Sequence, residues 1–326
     1  MKGKSNCMIN GTNNAKTIGV LPEEMDFVQE KFAINGNVFD CTEQFEDNMA
    51  TYSDIVIIVQ KRATIEAINK IEDFRREVGT DDDTRYYIFS EEQWKEALST
   101  YIREKSLMER WRQCWSKYHS EYSSFNADGI VDYGRYFTMP KGKKTLIILK
   151  ETNGLSDSLS EFLFTGGSNT YYRTWNNVAR WIKMILSDEY MESVNRETLN
   201  DLVHDFAVMN VKKYAGGARA NKQEVRKIAE ADKELLLEQI QLYNPDIILT
   251  GGFNLISDFI HDELLEEPRN TWIEPRKSTD SPLWYYWTNK VAENKETLVV
   301  SMPHPNRSKK ERAIQLQQIL KKELGV

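Results

Sequence analysis

The sequence predicts an α/β protein: a smaller flavodoxin-like α/β domain, then a three-layer α/β/α domain on a parallel sheet. Three observations carry that expectation. Short, almost wholly apolar, β-branched runs alternate with helical patterns along the chain, which is how doubly buried strands and their crossover helices read. At 326 residues and 40% hydrophobic content the chain exceeds what one core usually organises and can fill two. A single long helical pattern at 91–119 divides the alternation into two blocks.

The first block is a domain at 1–95. Strand candidates stand at 17–21 (TIGVL), 37–40 (NVFD), 54–59 (DIVIIV) and 85–90 (RYYIFS), with helical patterns at 23–32, 43–52 and 63–78 between them. This βαβαβαβ order predicts a small open sheet. It carries no glycine-rich phosphate loop, and the domain is left to a protein partner or ligand of unspecified kind.

The 91–119 helix opens on Ser90 as N-cap, with Glu91 and Glu92 at the positive end of its dipole. Its Trp94, Trp111, Trp115 and Tyr118 read as packing surface. Residues 96–135 are expected to connect the domains, ending in a polar, glycine-containing stretch before the second domain at 136–326.

That second domain has four strand candidates, 145–149 (TLIIL), 206–210 (FAVMN), 246–250 (DIILT) and 297–301 (TLVVS). Helices are expected at 172–187, 222–242, 252–264 and 308–323. β-branched apolar strands separated by helices predict a parallel sheet, whose ligands bind beyond the carboxyl ends of the strands.

Charge and cysteine content narrow the classes. The net charge of −7 leaves nucleic-acid binding to local basic clusters, such as Lys212, Lys213 and Arg219, or Arg307, Lys309 and Lys310. Cys7, Cys41 and Cys114 are odd in number and far apart, which fits neither a disulfide framework nor a metal knot and points to a reducing cytoplasm. No apolar run is long enough for a membrane span, so no membrane partner is expected. No cofactor or metal is called for.

Polar residues gather just past the strands. Glu151, Thr152, Asn153 and Gly154 follow the first; Asn210, Lys212 and Lys213 end the second; Gly251 and Gly252 follow the third; His304, Asn306 and Arg307 follow the fourth. A carboxylate, an amide and an imidazole would face one crevice. Each is unremarkable alone, and the sheet topology is what joins them.

In order and spacing the segments LIILKETNG (146–154), LFTGGSN (163–169), MNVKKYAGGARANKQEV (209–225), NPDIILTGG (244–252) and SMPHPNR (301–307) resemble the uracil-DNA glycosylase superfamily. They are similar to its branch with a Gly-Glu-Ala-Pro-Gly first motif, over about 180 residues. The resemblance implies a monofunctional glycosylase acting on a flipped uracil or modified pyrimidine in DNA. Glu151 would position or deprotonate the attacking water, with Asn153 sharing or taking that role. Phe164 would stack on the extruded base, Asn210 would read its Watson–Crick edge, and His304 would donate to its oxygen as negative charge builds. Thr152 and Gly154 would complete the substrate loop, and Lys212, Lys213, Arg219, Asn306, Arg307, Lys309 and Lys310 would meet the DNA. These roles suit a reaction that leaves an oxocarbenium-like sugar and an anionic base.

The chain departs from that branch at five positions. Lys150 replaces its Gly, Thr152-Asn153 its Ala-Pro and Asn306 the Ser of its His-Pro-Ser, while Tyr214 stands where the iron–sulfur members have a cysteine. Gly166, Gly167, Gly216 and Gly217 are expected to leave room for a substituted pyrimidine. Two alternatives stay open: a degenerate glycosylase fold that only binds nucleic acid, and an N-glycosidase of small nucleosides or nucleotides.

Overall fold

Parallel pairing organises both sheets of the protein. The computed structural model describes residues 15–18, 20–32, 38–40, 55–60, 85–118, 125–155, 158–168, 172–217, 220–252, 256–265, 284–292 and 295–325. The chain divides into two compact units, Met1–Tyr101 and Ile102–Val326, so the division falls inside the long helix.

In the first unit β1 (Ala15–Ile18), β2 (Val38–Asp40), β3 (Ile55–Val59) and β4 (Arg85–Phe89) form a sheet of order β2-β1-β3-β4, every neighbour pair parallel. Helix α1 (Met25–Lys31) lies between the first two strands. The helical patterns expected at 43–52 and 63–78 lie outside the described residues. An aromatic cluster fills the unit: Phe27 meets Phe32 at 5.4 Å and Trp94 at 5.2 Å between ring centroids, and Phe89 meets Trp94 at 5.1 Å. The Trp94 indole donates to Glu24 Oε2 at 3.0 Å, satisfying the polar tip of a fully buried ring.

Helix α2 (Glu91–Tyr118) starts on a capping box, in which Gln93 N donates to Ser90 Oγ at 3.2 Å and Ser90 N donates to Gln93 Oε1 at 2.8 Å. Trp94 and Trp111 are wholly buried, as packing surface should be.

The second unit carries a sheet of order β5-β7-β6-β8-β10-β9. Its members are β5 (Gly129–Ile130), β6 (Thr145–Leu149), β7 (Ala207–Asn210), β8 (Ile247–Gly251), β9 (Trp284–Ala292) and β10 (Lys295–Met302). The four strands expected from sequence form the parallel centre, and β6, β7 and β8 are buried at every position. The sheet is not parallel throughout, because β5 and β9 add antiparallel edges. Both edges escape a pattern search: β5 has two residues, and β9 (WYYWTNKVA) mixes aromatic and polar residues without a clean alternation.

Helical crossovers join the central strands. Between β6 and β7 run α3's successors α4 (Leu159–Phe164), α5 (Tyr172–Ser187) and α6 (Arg196–Leu202), α3 itself (Tyr133–Thr138) preceding β6. The helix expected at 222–242 is two, α7 (Lys222–Ala231) and α8 (Lys233–Tyr243), broken at Asp232, which accepts the Trp111 indole N–H at 3.0 Å. After β8 come α9 (Ile256–Asp258), which runs on as a π-turn over Phe259–Leu264, and after β10 α10 (Lys310–Leu324). From β6 the chain moves to one side for β7, then returns to the other for β8. That reversal opens a crevice above the carboxyl end of β6.

Candidate active site

Three segments meet above that crevice. Beyond β6, the backbone continues beside the chain that follows β7, with Val211 N donating to Leu149 O at 3.0 Å, Lys212 N to Lys150 O at 2.9 Å and Gly216 N to Thr152 O at 2.8 Å. This extends the parallel ladder past both strands and ends in a bridge between Asn153 and Gly216. The third segment, after β10, is the turn His304–Arg307, pinned by Asn177 Nδ2 donating to Pro305 O at 2.7 Å.

The segments enclose a pocket of about 530 Å3, counting its open mouth. Glu151, Thr152, Asn153, Asn210 and His304 line it together with Leu149, Leu155, Leu159, Phe162, Thr174 and Trp175. The carboxylate, amide and imidazole expected past three different strands therefore share one pocket.

Each polar group is held differently. Asn210 is 1% exposed, and neither its Oδ1 nor its Nδ2 has a hydrogen-bond partner among the described residues. Its backbone N–H donates to Asp128 Oδ2 at 2.6 Å. An unpaired buried amide costs about 1–3 kcal/mol, so its donor and acceptor are placed for something other than folding.

The Glu151 side chain is 5% exposed and forms an ion pair with Lys212. The Lys212 ammonium also reaches Glu224 Oε1 at 3.1 Å and sits 4.0 Å from the centre of the Tyr214 ring, whose hydroxyl donates to Glu224 Oε1 at 2.5 Å. Gly216 lies against the carboxylate itself. A Cβ built there would stand 2.0 Å from Glu151 Oε1, so only glycine lets the chain pass so close.

Burial pushes the His304 imidazole down to about 4, assisted by the nearby charges of Lys150 and Arg307, so the ring is neutral at pH 7. Asn306 N donates to its Nδ1 at 3.3 Å. A neutral ring that accepts at Nδ1 carries its proton on Nε2, leaving that nitrogen as a donor.

A wholly buried polar network stands behind Asn210. Asp128 accepts from Lys213 Nζ at 2.6 and 2.8 Å and from Gln239 Nε2 at 2.8 Å. Gln239 Nε2 also donates to Tyr243 OH at 2.9 Å, which donates to Glu104 Oε1 at 2.6 Å. Burial raises Asp128 and lowers Lys213, each opposed by the other's charge, and both sit at 0% exposure. Nearby, Asn126 Nδ2 donates to Leu155 O at 2.8 Å and its Oδ1 accepts from Thr152 Oγ1 at 3.1 Å, clamping the loop after β6.

Several expected residues stand elsewhere. Phe164 packs edge-on against His204, 5.1 Å between centroids, and the pocket's aromatic walls are Phe162 and Trp175 instead. Gly167 makes room for that wall, since a Cβ there would strike the Phe162 ring at 2.4 Å. Lys212 and Lys213, expected as DNA contacts, are 3% and 0% exposed and ion-paired with acids, so neither is a surface cation. Lys310 is exposed but paired with Glu192. Gly154 turns the loop at φ +71° and is exposed, outside the pocket lining. Asn306, Arg307 and Lys309 are exposed, and Arg219 lies outside the described residues. Thr152 keeps its place in the lining but spends its hydroxyl on Asn126. Asp128, Asn126 and Gln239 carry no motif, and only their partners more than 25 residues away in sequence reveal them.

No known family model matches the chain, and no curated protein matches it. Among the described residues no group of His, Cys, Asp and Glu is arranged to hold a metal ion, and no helix is long and apolar enough to cross a membrane.

Proposed function

We propose that the second unit is a DNA glycosylase of the uracil-DNA glycosylase kind, hydrolysing the N-glycosidic bond of a flipped uracil or modified pyrimidine. On this reading the unit is a glycosylase-type α/β/α domain, and the β2-β1-β3-β4 order of the first unit supports a flavodoxin-like domain before it. The observation that carries the reading is the unpartnered Asn210 amide, buried in a pocket also lined by Glu151 and His304. An amide offers one acceptor and two donors, which matches the adjacent donor and acceptor of a pyrimidine's pairing edge.

In the reaction, the bond from the sugar C1′ to the base nitrogen breaks and a bond from C1′ to water oxygen forms. Glu151 orients the water and takes its proton. The base leaves with the bonding electron pair, and the Nε2–H of neutral His304 donates to its oxygen as that charge develops. The anionic base then takes a proton from solvent. Phe162 and Trp175 supply apolar walls and exclude water from the bond being broken.

A second reading, an N-glycosidase of small nucleosides or nucleotides, is favoured by one observation: Lys212 and Lys213 are withdrawn from the surface. One experiment separates the two. Oligonucleotides bearing uracil, deaminated purines or bulky modified cytosines, and the corresponding free nucleosides and nucleotides, are incubated with the protein and scored for abasic sites and released base. Release from oligonucleotides alone supports the glycosylase. Release from neither set removes both readings and leaves a binding module.

A further inference from the structure

The segment that fixes the backbone around Glu151 also reaches its side chain. Lys150 O and Thr152 O, on either side of Glu151, accept from Lys212 N at 2.9 Å and from Gly216 N at 2.8 Å. The same two residues bound the carboxylate: the Lys212 ammonium pairs with Oε2, and Gly216 leaves open a space in which a Cβ would stand 2.0 Å from Oε1. Oε2 is buried and takes no directed hydrogen bond among the described residues, so the ammonium is its counter-charge. Glu151 and Lys150 also feel each other's charge, but the ion pair is with Lys212.

Lys212 is itself held by two further groups. Its Nζ donates to Glu224 Oε1 at 3.1 Å and stands 4.0 Å from the centre of the Tyr214 ring, a cation over an aromatic face. The Tyr214 hydroxyl donates to the same Glu224 oxygen at 2.5 Å. Glu224 lies in the first turn of α7, where its own N–H donates to the N-cap Asn221 at 3.3 Å. Two acids and a ring around one buried ammonium reduce a long, flexible side chain to one position. Apolar residues of similar volume commonly stabilise a fold as well as a buried ion pair does. What they cannot do is hold a carboxylate by one of its oxygens.

We propose that Lys212, anchored by Glu224 and Tyr214, is a positioning residue for Glu151: by occupying Oε2 it leaves Oε1 to meet the water in the pocket. This rests on the reading of Glu151 as the group that activates water. Lys212 lies outside the pocket lining, so it acts through the carboxylate and not on the substrate.

The test reads rate, affinity and the carboxylate separately on the full chain. Single-turnover release from an oligonucleotide bearing uracil gives the rate. Affinity is measured on the same oligonucleotide with a tetrahydrofuran abasic analogue at that position. Carbon-13 NMR of protein labelled at glutamate Cδ, with the Glu151 signal assigned from E151Q, reports on the carboxylate. K212M should slow release by ~10²-fold, as misplacement of a catalytic group does, with affinity unchanged and the Glu151 signal shifted. K212R keeps the charge and should recover part of the rate. E224Q, at a partly exposed position, should shift the Glu151 signal less and slow release several-fold. Should K212M fail to fold, E224Q decides by the same two readouts. A Glu151 signal unmoved in every folded variant would overturn the proposal. If the signal moves and the wild type releases no base from any substrate, the placement of Glu151 by Lys212 stands and the glycosylase reading falls. If E151Q abolishes release while K212M and E224Q match the wild type, the glycosylase reading stands and the positioning role falls.

Discussion

The backbone N–H of Asn210 donates to the carboxylate of Asp128 at 2.6 Å, while the side-chain amide of the same residue has no hydrogen-bond partner among the described residues. One half of the residue is fixed so that the other half can be offered. Asn210→Ala should therefore lower discrimination among bases as well as rate. A site built to hydrogen-bond a ligand edge rejects analogues by ~10²-fold or more, because its own polar groups would be left unpaired. Single-turnover rates on a panel of bases measure this, and unchanged ratios among them would remove Asn210 from recognition.

Asp128 and Lys213 make the support behind Asn210, and both are fully buried. Asp128→Asn or Lys213→Met leaves one charge without its partner, which typically costs ~3–5 kcal/mol. Urea unfolding of the second unit should show a lowered midpoint for either variant. A midpoint within error of wild type would mean that the pair contributes nothing to the fold.

Glu151 and Gly216 should behave as one position. Glu151→Gln should slow base release by ~10²–10³ with little loss of DNA affinity, as removal of a preorganised group does. Gly216→Ala should reach a comparable loss from the other side, since its methyl would stand 2.0 Å from Glu151 Oε1. Parallel rate and binding assays decide the matter. A Gly216→Ala variant as active as the wild type would show that Glu151 need not stay where it lies.

The acid limb of the pH–rate profile should fall late. In the proposed reaction His304 is a neutral donor, and with burial holding its ring down to about 4, single-turnover rates should not drop as pH passes through 6.5. The stability effect has a definite sign. A histidine lowered on folding binds its proton more readily in the unfolded chain, so its contribution is full above pH 6.5 and declines as pH falls toward 4. His304→Ala should slow release and remove this part of the acid sensitivity. An inflection of the rate near 6.5 would contradict the assignment.

Phe162 and Phe164 should separate cleanly. Phe162→Ala should weaken substrate binding and rate with modest loss of stability, whereas Phe164→Ala, in the packed contact with His204, should cost ~3–5 kcal/mol of folding with the site otherwise intact. Melting curves and KM values for the pair provide the check.

The central sheet was legible because β6, β7, β8 and β10 are buried on both faces and so are written as unbroken apolar runs. The placement of Glu151, Asn210 and His304 followed from the same fact, since a parallel sheet brings its carboxyl ends together. The choice between Phe162 and Phe164 was not legible. On a helix two residues are about 200° apart, and nothing in the string LSEFLF says which face looks into the pocket. Lys212 and Lys213 read as surface charge because their acids are remote: Asp128 is 85 residues before Lys213, and Glu224 lies across the start of another helix. Only folding brings a charge to its partner.

The ladder that runs on past β6 and β7 gives the floor of the pocket an unusual timescale. The amides of Val211, Lys212 and Gly216 belong to no strand, yet each is bonded to a carbonyl of the facing segment. In hydrogen exchange they should protect with the slowly opening sheet rather than with surface loops. A ligand would then enter and leave by the open mouth of the pocket, beside a backbone ladder that opens only when the sheet does.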